Sequence, residues 1–164
     1  MLHEFDSAVK PTLERRIAAA RRPLLTALAA LLTAGFVAAA IAHAPTRPLV
    51  WMVAYLVLIG GLVQLALGLG QTLLPAQLPS PDSRLHGWVL FNAGSGGVIL
   101  GRLQTAPWLV ALGSAAFLAA LVVYWRGMRD APASALSRAY RGILLVAGLG
   151  AGIGLVLSFT HSAS

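Results

Sequence analysis

The sequence predicts an all-α protein, a polytopic bundle of five membrane-spanning helices, and three observations support this. Of 164 residues, 58% are hydrophobic and only 10% are charged, with a mean hydropathy of +0.79, which is too apolar for a soluble domain of this size. Long apolar runs alternate with short polar or proline-containing segments. The basic residues gather in alternate connecting segments, as the positive-inside rule requires.

The first 23 residues form a basic N-terminal segment that we expect on the cytoplasmic surface, with its arginines at the lipid headgroups. Pro11 is placed to open a short helix through Ala20, because a proline in a first turn loses no hydrogen bond. The transmembrane domain then covers residues 24–160. Its first span is predicted at about 24–43, and Pro45 and Pro48 impose a tight outer turn after it.

The central span, about residues 49–74, contains no charged residue and carries a polar seam. Gly61, Gln64, Gly68 and Gln71 follow at steps of three, four and three, which places all four on one side of a helix. Glutamine amides in hydrocarbon need hydrogen-bond partners, and glycines let another backbone approach closely. We therefore expect this seam to pack on other helices, either of this chain or of a partner.

The third span, about residues 85–104, is the least hydrophobic. It follows a proline-rich segment, residues 75–84, which is predicted to be a loop. Asn92, Ser95 and Arg102 fall on one side of the predicted helix, and that side should face protein. The last two spans, about 107–125 and 142–159, flank a basic polar loop. Gly148 and Gly152 form a small-xxx-small pair in the fifth span that favours tight helix contact.

The distribution of charge predicts the orientation. With the N-terminus inside and the C-terminus outside, only Arg47 and Arg102 are left on the outer side. This is the orientation expected in a bacterial inner membrane. The remaining ten of the twelve basic residues lie in inner segments: Lys10, Arg15, Arg16, Arg21, Arg22, Arg84, Arg126, Arg129, Arg138 and Arg141.

The residues available for chemistry are few. The chain has no cysteine, and none of its acidic or lysine residues lies in a predicted span, which argues against a hydrolase, a thiolate metal site or an ion pump. The basic residues are explained by topology and anionic lipid, so no nucleic-acid partner is predicted. His43 and His161 both fall at outer helix ends, where they could ligate a b-type haem for electron transfer. A small transporter is a further alternative.

One family resemblance rests on two patterns in the second and third spans. The patterns are Gly60-Gly61-xx-Gln64-xxx-Gly68-xx-Gln71-xxx-Pro75 and Trp88-xx-Phe91-Asn92-x-Gly94. In these patterns the sequence resembles small bacterial membrane proteins related to subunit I of haem-copper oxidases and to NnrS-like proteins. The resemblance implies a histidine where Gln71 stands and another near Tyr55, so the metal-binding capacity of those relatives is expected to be lost here.

The sequence as a whole thus predicts a non-catalytic accessory subunit of a larger respiratory or photosynthetic inner-membrane complex. It would pack against membrane lipids and other subunits through its glycine and glutamine seams. No cofactor of its own is expected, although a haem b, a quinone, a pigment or a lipid could sit at the joint.

Overall fold

The computed structural model describes the backbone of residues 2–160 and the side chains of residues 14–156. These residues form five helices and no strand, so the predicted all-α class is confirmed for the described chain. The second helix is α-helical at Arg47–Tyr55 and Gln64–Leu73 and widens to a π-helix at Leu56–Val63. The helices are α1 (Leu2–Ala40), α2 (Arg47–Leu73), α3 (Pro81–Leu103), α4 (Pro107–Arg126) and α5 (Ala135–Thr160).

Four helical segments of the described chain are long and apolar enough to cross a membrane: Glu14–Ala40, Arg47–Leu73, Pro107–Arg126 and Ala135–Val156. The chain is therefore a multi-pass membrane protein by length and composition. Helix α3 is not among the four, because its polar and glycine residues lower its hydropathy. Its assignment as a fifth span remains a prediction.

The helices are longer than the sequence suggests. Instead of a short helix opening at Pro11, one continuous helix begins at Leu2 and includes the first predicted span as far as Ala40, three residues short of its predicted end. The predicted loop at residues 75–84 ends at Ser80, whose hydroxyl accepts a hydrogen bond from the Ser83 amide at 3.2 Å and so caps α3. Pro81 then occupies the first helical turn, where its missing N–H is not needed.

The basic loop after α4 is shortened by the same device. The Ser134 hydroxyl accepts a hydrogen bond from the Ser137 amide at 3.1 Å, and α5 begins at Ala135 rather than near residue 142. In both loops, a serine thus caps the start of the helix that follows, α3 or α5.

Two tight helix pairs form the core of the bundle. Helices α3 and α4 pack backbone to backbone: a Cβ built on Gly113 would lie 2.6 Å from the Val98 nitrogen and 2.8 Å from the Gly94 carbonyl oxygen. Helix α1 packs along α2, where Pro23 lies against Gly68 and Leu31 against Gly61. Between the pairs lies an apolar cluster that includes Leu67, Phe91, Phe117, Tyr124 and Tyr140.

Candidate functional site

Helix α5 is anchored to the bundle near its N-terminal end. Tyr140, Leu144 and Ala147 enter the apolar cluster, and the Tyr140 ring lies directly on the α2 backbone at Gly70. The Tyr140 hydroxyl donates a hydrogen bond to the Leu67 carbonyl at 3.4 Å. This contact is possible because Gly70 has no side chain. It anchors the first turns of α5 to the end of α2.

Beside that anchor and past it, α5 leaves a gap toward α2. The gap is a cavity of about 1140 Å³ between α2, the C-terminal end of α3, the N-terminal half of α4 and one side of α5. It runs along α5 from Ala139 to Gly154, a length of roughly 22 Å at the helical rise. Gly150 and Gly154 line its rim, and neither has a neighbouring atom within 4 Å of where a Cβ would be. The cavity therefore stays open on the glycine side of α5.

The π-helical part of α2 supplies one wall of this cavity. Leu58, Ile59, Leu62 and Val63 all belong to that segment and line the gap. A π-helix widens the turn and is often found at functional sites. The wall is entirely aliphatic, so it suits a hydrocarbon chain or a ring without polar groups.

The polar groups of the cavity lie at one end, where α2 and α4 begin and α3 ends. Trp51, Tyr55, Arg102 and Ser114 line this end. The Arg102 guanidinium carbon lies 5.8 Å from the centroid of the Trp51 ring, a cation–π distance. Two turns before Arg102 on α3, the Ser95 hydroxyl is buried and interacts with the Tyr55 side chain. The cavity is therefore amphipathic, with a long apolar body and a single polar, cationic end.

The structure places most of the predicted α2 seam inside this chain. Gly61 and Gly68 face α1, and Gln64 is fully buried with its amide donating to the Thr26 hydroxyl. The same hydroxyl accepts a hydrogen bond from Trp88 Nε1 at 3.2 Å and donates to the Arg22 carbonyl at 3.0 Å. Thr26 thus joins α1, α2 and α3 at one point, a role that no pattern in the sequence indicates.

The other predicted polar residues do not meet at one site. Asn92 donates from Nδ2 to the Trp88 carbonyl of its own helix at 2.8 Å, whereas Ser95 is buried and Arg102 reaches the cavity. Gln71, the last residue of the α2 seam, lies at the opposite end of the bundle, and its buried Nε2 has no partner. The seam and the third span therefore contribute to several separate contacts.

The glycines of α5 and the histidines were also predicted as sites. A Cβ built on Gly148 would lie 3.6 Å from the Leu121 side chain, an ordinary contact distance, while one built on Gly152 would meet nothing within 4 Å. His43 lies exposed in the turn after α1, and His161 is outside the described residues, so the haem pair remains a prediction. In the described chain, no three histidine, aspartate or glutamate residues lie close enough to share a metal ion.

Comparison with protein-family models, curated proteins and solved structures finds no match for this chain. The resemblance to proteins related to haem-copper oxidase subunit I accordingly stays a prediction. The amphipathic cavity and the open side of α5 are therefore the features of the molecule that bear on function.

Proposed function

We propose that this chain is a non-catalytic accessory subunit of a larger bacterial inner-membrane complex, respiratory or photosynthetic. The observation that carries the proposal is the cavity along α5, which no part of the described chain fills. Natural membrane bundles pack their helices closely, and an apolar space of this size gains dispersion contacts only when another molecule occupies it. A joint with a partner subunit would supply that occupant.

The composition of the cavity indicates what it holds. Its aliphatic walls suit the tail of a lipid, a quinone or a pigment, and the polar end at Arg102 and Tyr55 suits a headgroup or a ring carbonyl. The glycine rim at Gly150 and Gly154 lets a partner helix approach the α5 backbone closely. The partner would thereby close the open side and enclose the ligand at the joint.

The proposed topology has five spans, with the N-terminus inside and the C-terminus outside. Helix α3 belongs to the membrane in this proposal because its 23 residues extend roughly 34 Å and pack along α4 without a gap. The chain has no cysteine, so single cysteines can map the topology. With a membrane-impermeant maleimide in intact cells, Thr46→Cys and Thr105→Cys should react, and Ser80→Cys and Ser134→Cys should not.

The accessory role is tested by extracting native membranes in a mild detergent and sizing the complex that contains this chain. We expect co-migration with a larger assembly. Gly154→Leu should abolish it by filling the rim. Gly35→Leu should not, because Gly35 has the same open space at its Cβ position but lies on α1 and does not line the cavity. Migration of the unaltered chain alone would refute the proposal.

The absorption spectrum of the same fractions addresses the alternatives. A coloured assembly with a colourless isolated chain supports the accessory role. A sharp reduced haem band in the isolated chain, lost on His43→Ala, would instead support the electron-transfer alternative. Substrate flux into vesicles that contain only this chain would favour the transporter.

A further inference from the structure

A second crevice, separate from the cavity along α5, lies at the other end of the bundle. It has a volume of about 460 Å³ and is formed by α1, the last turns of α2 and the start of α3. Arg15 and Arg22 line it from α1, seven residues apart and hence on one helix face, and Arg84 lines it from α3. Three arginines from two helices thus line one small space.

Among the described side chains, no carboxylate lines the crevice beside these arginines. Neither Glu14 nor Asp82, the described carboxylates nearest to them in sequence, lines the crevice. Among residues whose side chains the structure describes, no arginine forms an ion pair within 4.0 Å. Arginine keeps its charge at any pH a protein meets, so the three like charges repel one another unless an anion lies between them.

The backbone carbonyls at the end of α2 do not supply that negative charge, because a fourth arginine already binds them. The Arg16 guanidinium donates to the Thr72 carbonyl at 2.7 Å, to the Pro75 carbonyl at 3.3 Å and to the Ala76 carbonyl at 3.1 Å. It neutralises the negative end of the helix dipole. The three crevice arginines are therefore left facing space and not a helix end.

Residues of the crevice also carry buried N–H donors that lack an acceptor. Gln71, whose side chain is 4% exposed, has no partner for Nε2, and the buried Nε of Arg84 has none either. Buried donors are nearly always satisfied in folded proteins. An anion with several oxygen atoms would balance the charge of the arginines and also accept hydrogen bonds from these buried donors.

We propose that this crevice binds a phosphate group, and specifically the phosphate of an anionic phospholipid headgroup. Phosphate presents the oxygens that the forked donors of arginine match best. Leu25 of α1 and Leu85 and Val89 of α3 are exposed beside the arginine-lined wall and offer a surface for acyl chains. Basic pockets between membrane helices at the cytoplasmic side bind such headgroups. Inorganic phosphate shares the chemistry of the headgroup but has no chain to bind.

The test uses the purified full-length chain, without any partner, so its result is independent of the accessory role. The chain is reconstituted in nanodiscs of phosphatidylcholine alone, or with added phosphatidylglycerol or cardiolipin, and lipids retained after transfer to detergent are counted by native mass spectrometry. We expect one anionic lipid to be retained selectively. The thermal midpoint in detergent should rise on adding the anionic lipid and not on adding phosphatidylcholine.

Matched variants separate the crevice from general surface charge. Arg22→Gln and Arg84→Gln should each weaken retention roughly tenfold, since each removes charge-assisted hydrogen bonds. Arg138→Gln, which removes the same charge from an exposed site outside the crevice, should have no effect. Arg84→Lys keeps the charge but not the fork and should recover part of the loss. Gln71→Met keeps the size of the side chain and should lower retention less than either arginine change.

Two results would overturn the proposal. One is equal retention of phosphatidylcholine and anionic lipids by the unaltered chain. The other is a loss in Arg138→Gln as large as in Arg84→Gln, which would indicate an unspecific charge effect. If inorganic phosphate raises the thermal midpoint as much as the lipid does, the phosphate site stands but its lipid source is refuted.

Discussion

The contact between α3 and α4 gives the sharpest test of the fold, because two glycines of α3 lie in opposite environments. One lies against the backbone of α4, and the other has open space beside it. A Cβ on Gly94 would lie 2.5 Å from the Phe117 nitrogen and 2.8 Å from the Gly113 carbonyl oxygen. A Cβ on Gly96, two residues later, would meet nothing within 4 Å. Alanine at the two positions should therefore have opposite effects on stability, although both substitutions are chemically identical.

The size of the effect follows from the distances. Ordinary van der Waals contact begins at 3.4 Å, so the Gly94→Ala methyl would lie about 0.9 Å too close to the backbone of α4. The clashing atoms are backbone and cannot rotate away, so the helices must separate and give up contacts along their length. Overpacking of this kind costs about 1–3 kcal/mol, and we expect the upper half of that range. Gly96→Ala should be neutral or stabilise by up to about 1 kcal/mol, through helix propensity alone.

The assay is unfolding of the purified protein in mixed micelles with increasing dodecyl sulfate, followed by tryptophan fluorescence and circular dichroism. Gly113→Ala, the change on the opposite helix, should destabilise as much as Gly94→Ala. The double variant should cost less than the two single changes added together, because one separation of the helices relieves both clashes. Equal stability of the Gly94 and Gly96 variants would show that the two backbones do not meet.

Three further predictions use the same assay. Arg16→Gln should destabilise the protein by about 1.5–3 kcal/mol, because the carbonyls at the end of α2 lose a charged donor. Arg21→Gln, at an exposed position, should change stability little, and an equal loss in the two variants would contradict the capping role of Arg16. Thr26→Val should lower the free energy of unfolding by about 1–3 kcal/mol, because it leaves two side-chain N–H donors without an acceptor, and Thr26→Ser should keep most of the stability. If Thr26→Val is as stable as the unaltered chain, the three-helix junction is refuted. Thr105→Gly should stabilise the protein by about 1 kcal/mol, because Thr105 at the end of α3 has a φ of 52°, in the left-handed region that favours glycine. Destabilisation would show that contacts of the Thr105 side chain outweigh the strain of its backbone.

The features that the sequence predicted well are those in which residue types repeat at the spacing of a helix. The apolar runs and the glycine and glutamine seam of α2 repeat at helical spacing, so the helices and the side of α2 that packs could be read directly. The glycines of α3 are harder to interpret from the sequence, since their low helix propensity indicates only that they destabilise the helix. In the structure Gly94 marks the closest backbone contact of the bundle, because packing overrides propensity.

The features that the sequence did not predict depend on where separate elements meet. Nothing in the spacing around Thr26 indicates that its hydroxyl receives donors from two other helices. The serine caps that lengthened α3 and α5 were visible in the loops, but proline and charge dominated their interpretation. The glycines of α5 predicted close packing, and the structure instead leaves Gly150, Gly152 and Gly154 without neighbours. A small-residue pattern indicates that close contact is possible and does not identify its partner.

The bundle is tight where its helices meet through glycine and loose where α5 turns away from α2, and this difference bears on where ligands can bind. Gly70 lets the Tyr140 ring lie on α2, which holds one end of α5 in place. The later turns of α5 line the cavity, and Gly150 and Gly154 there have no atom within 4 Å of a Cβ position. A ligand in the cavity would contact those turns and help to form the surface on which the proposed partner docks. Ligand binding and subunit docking should accordingly be coupled, each raising the affinity of the chain for the other.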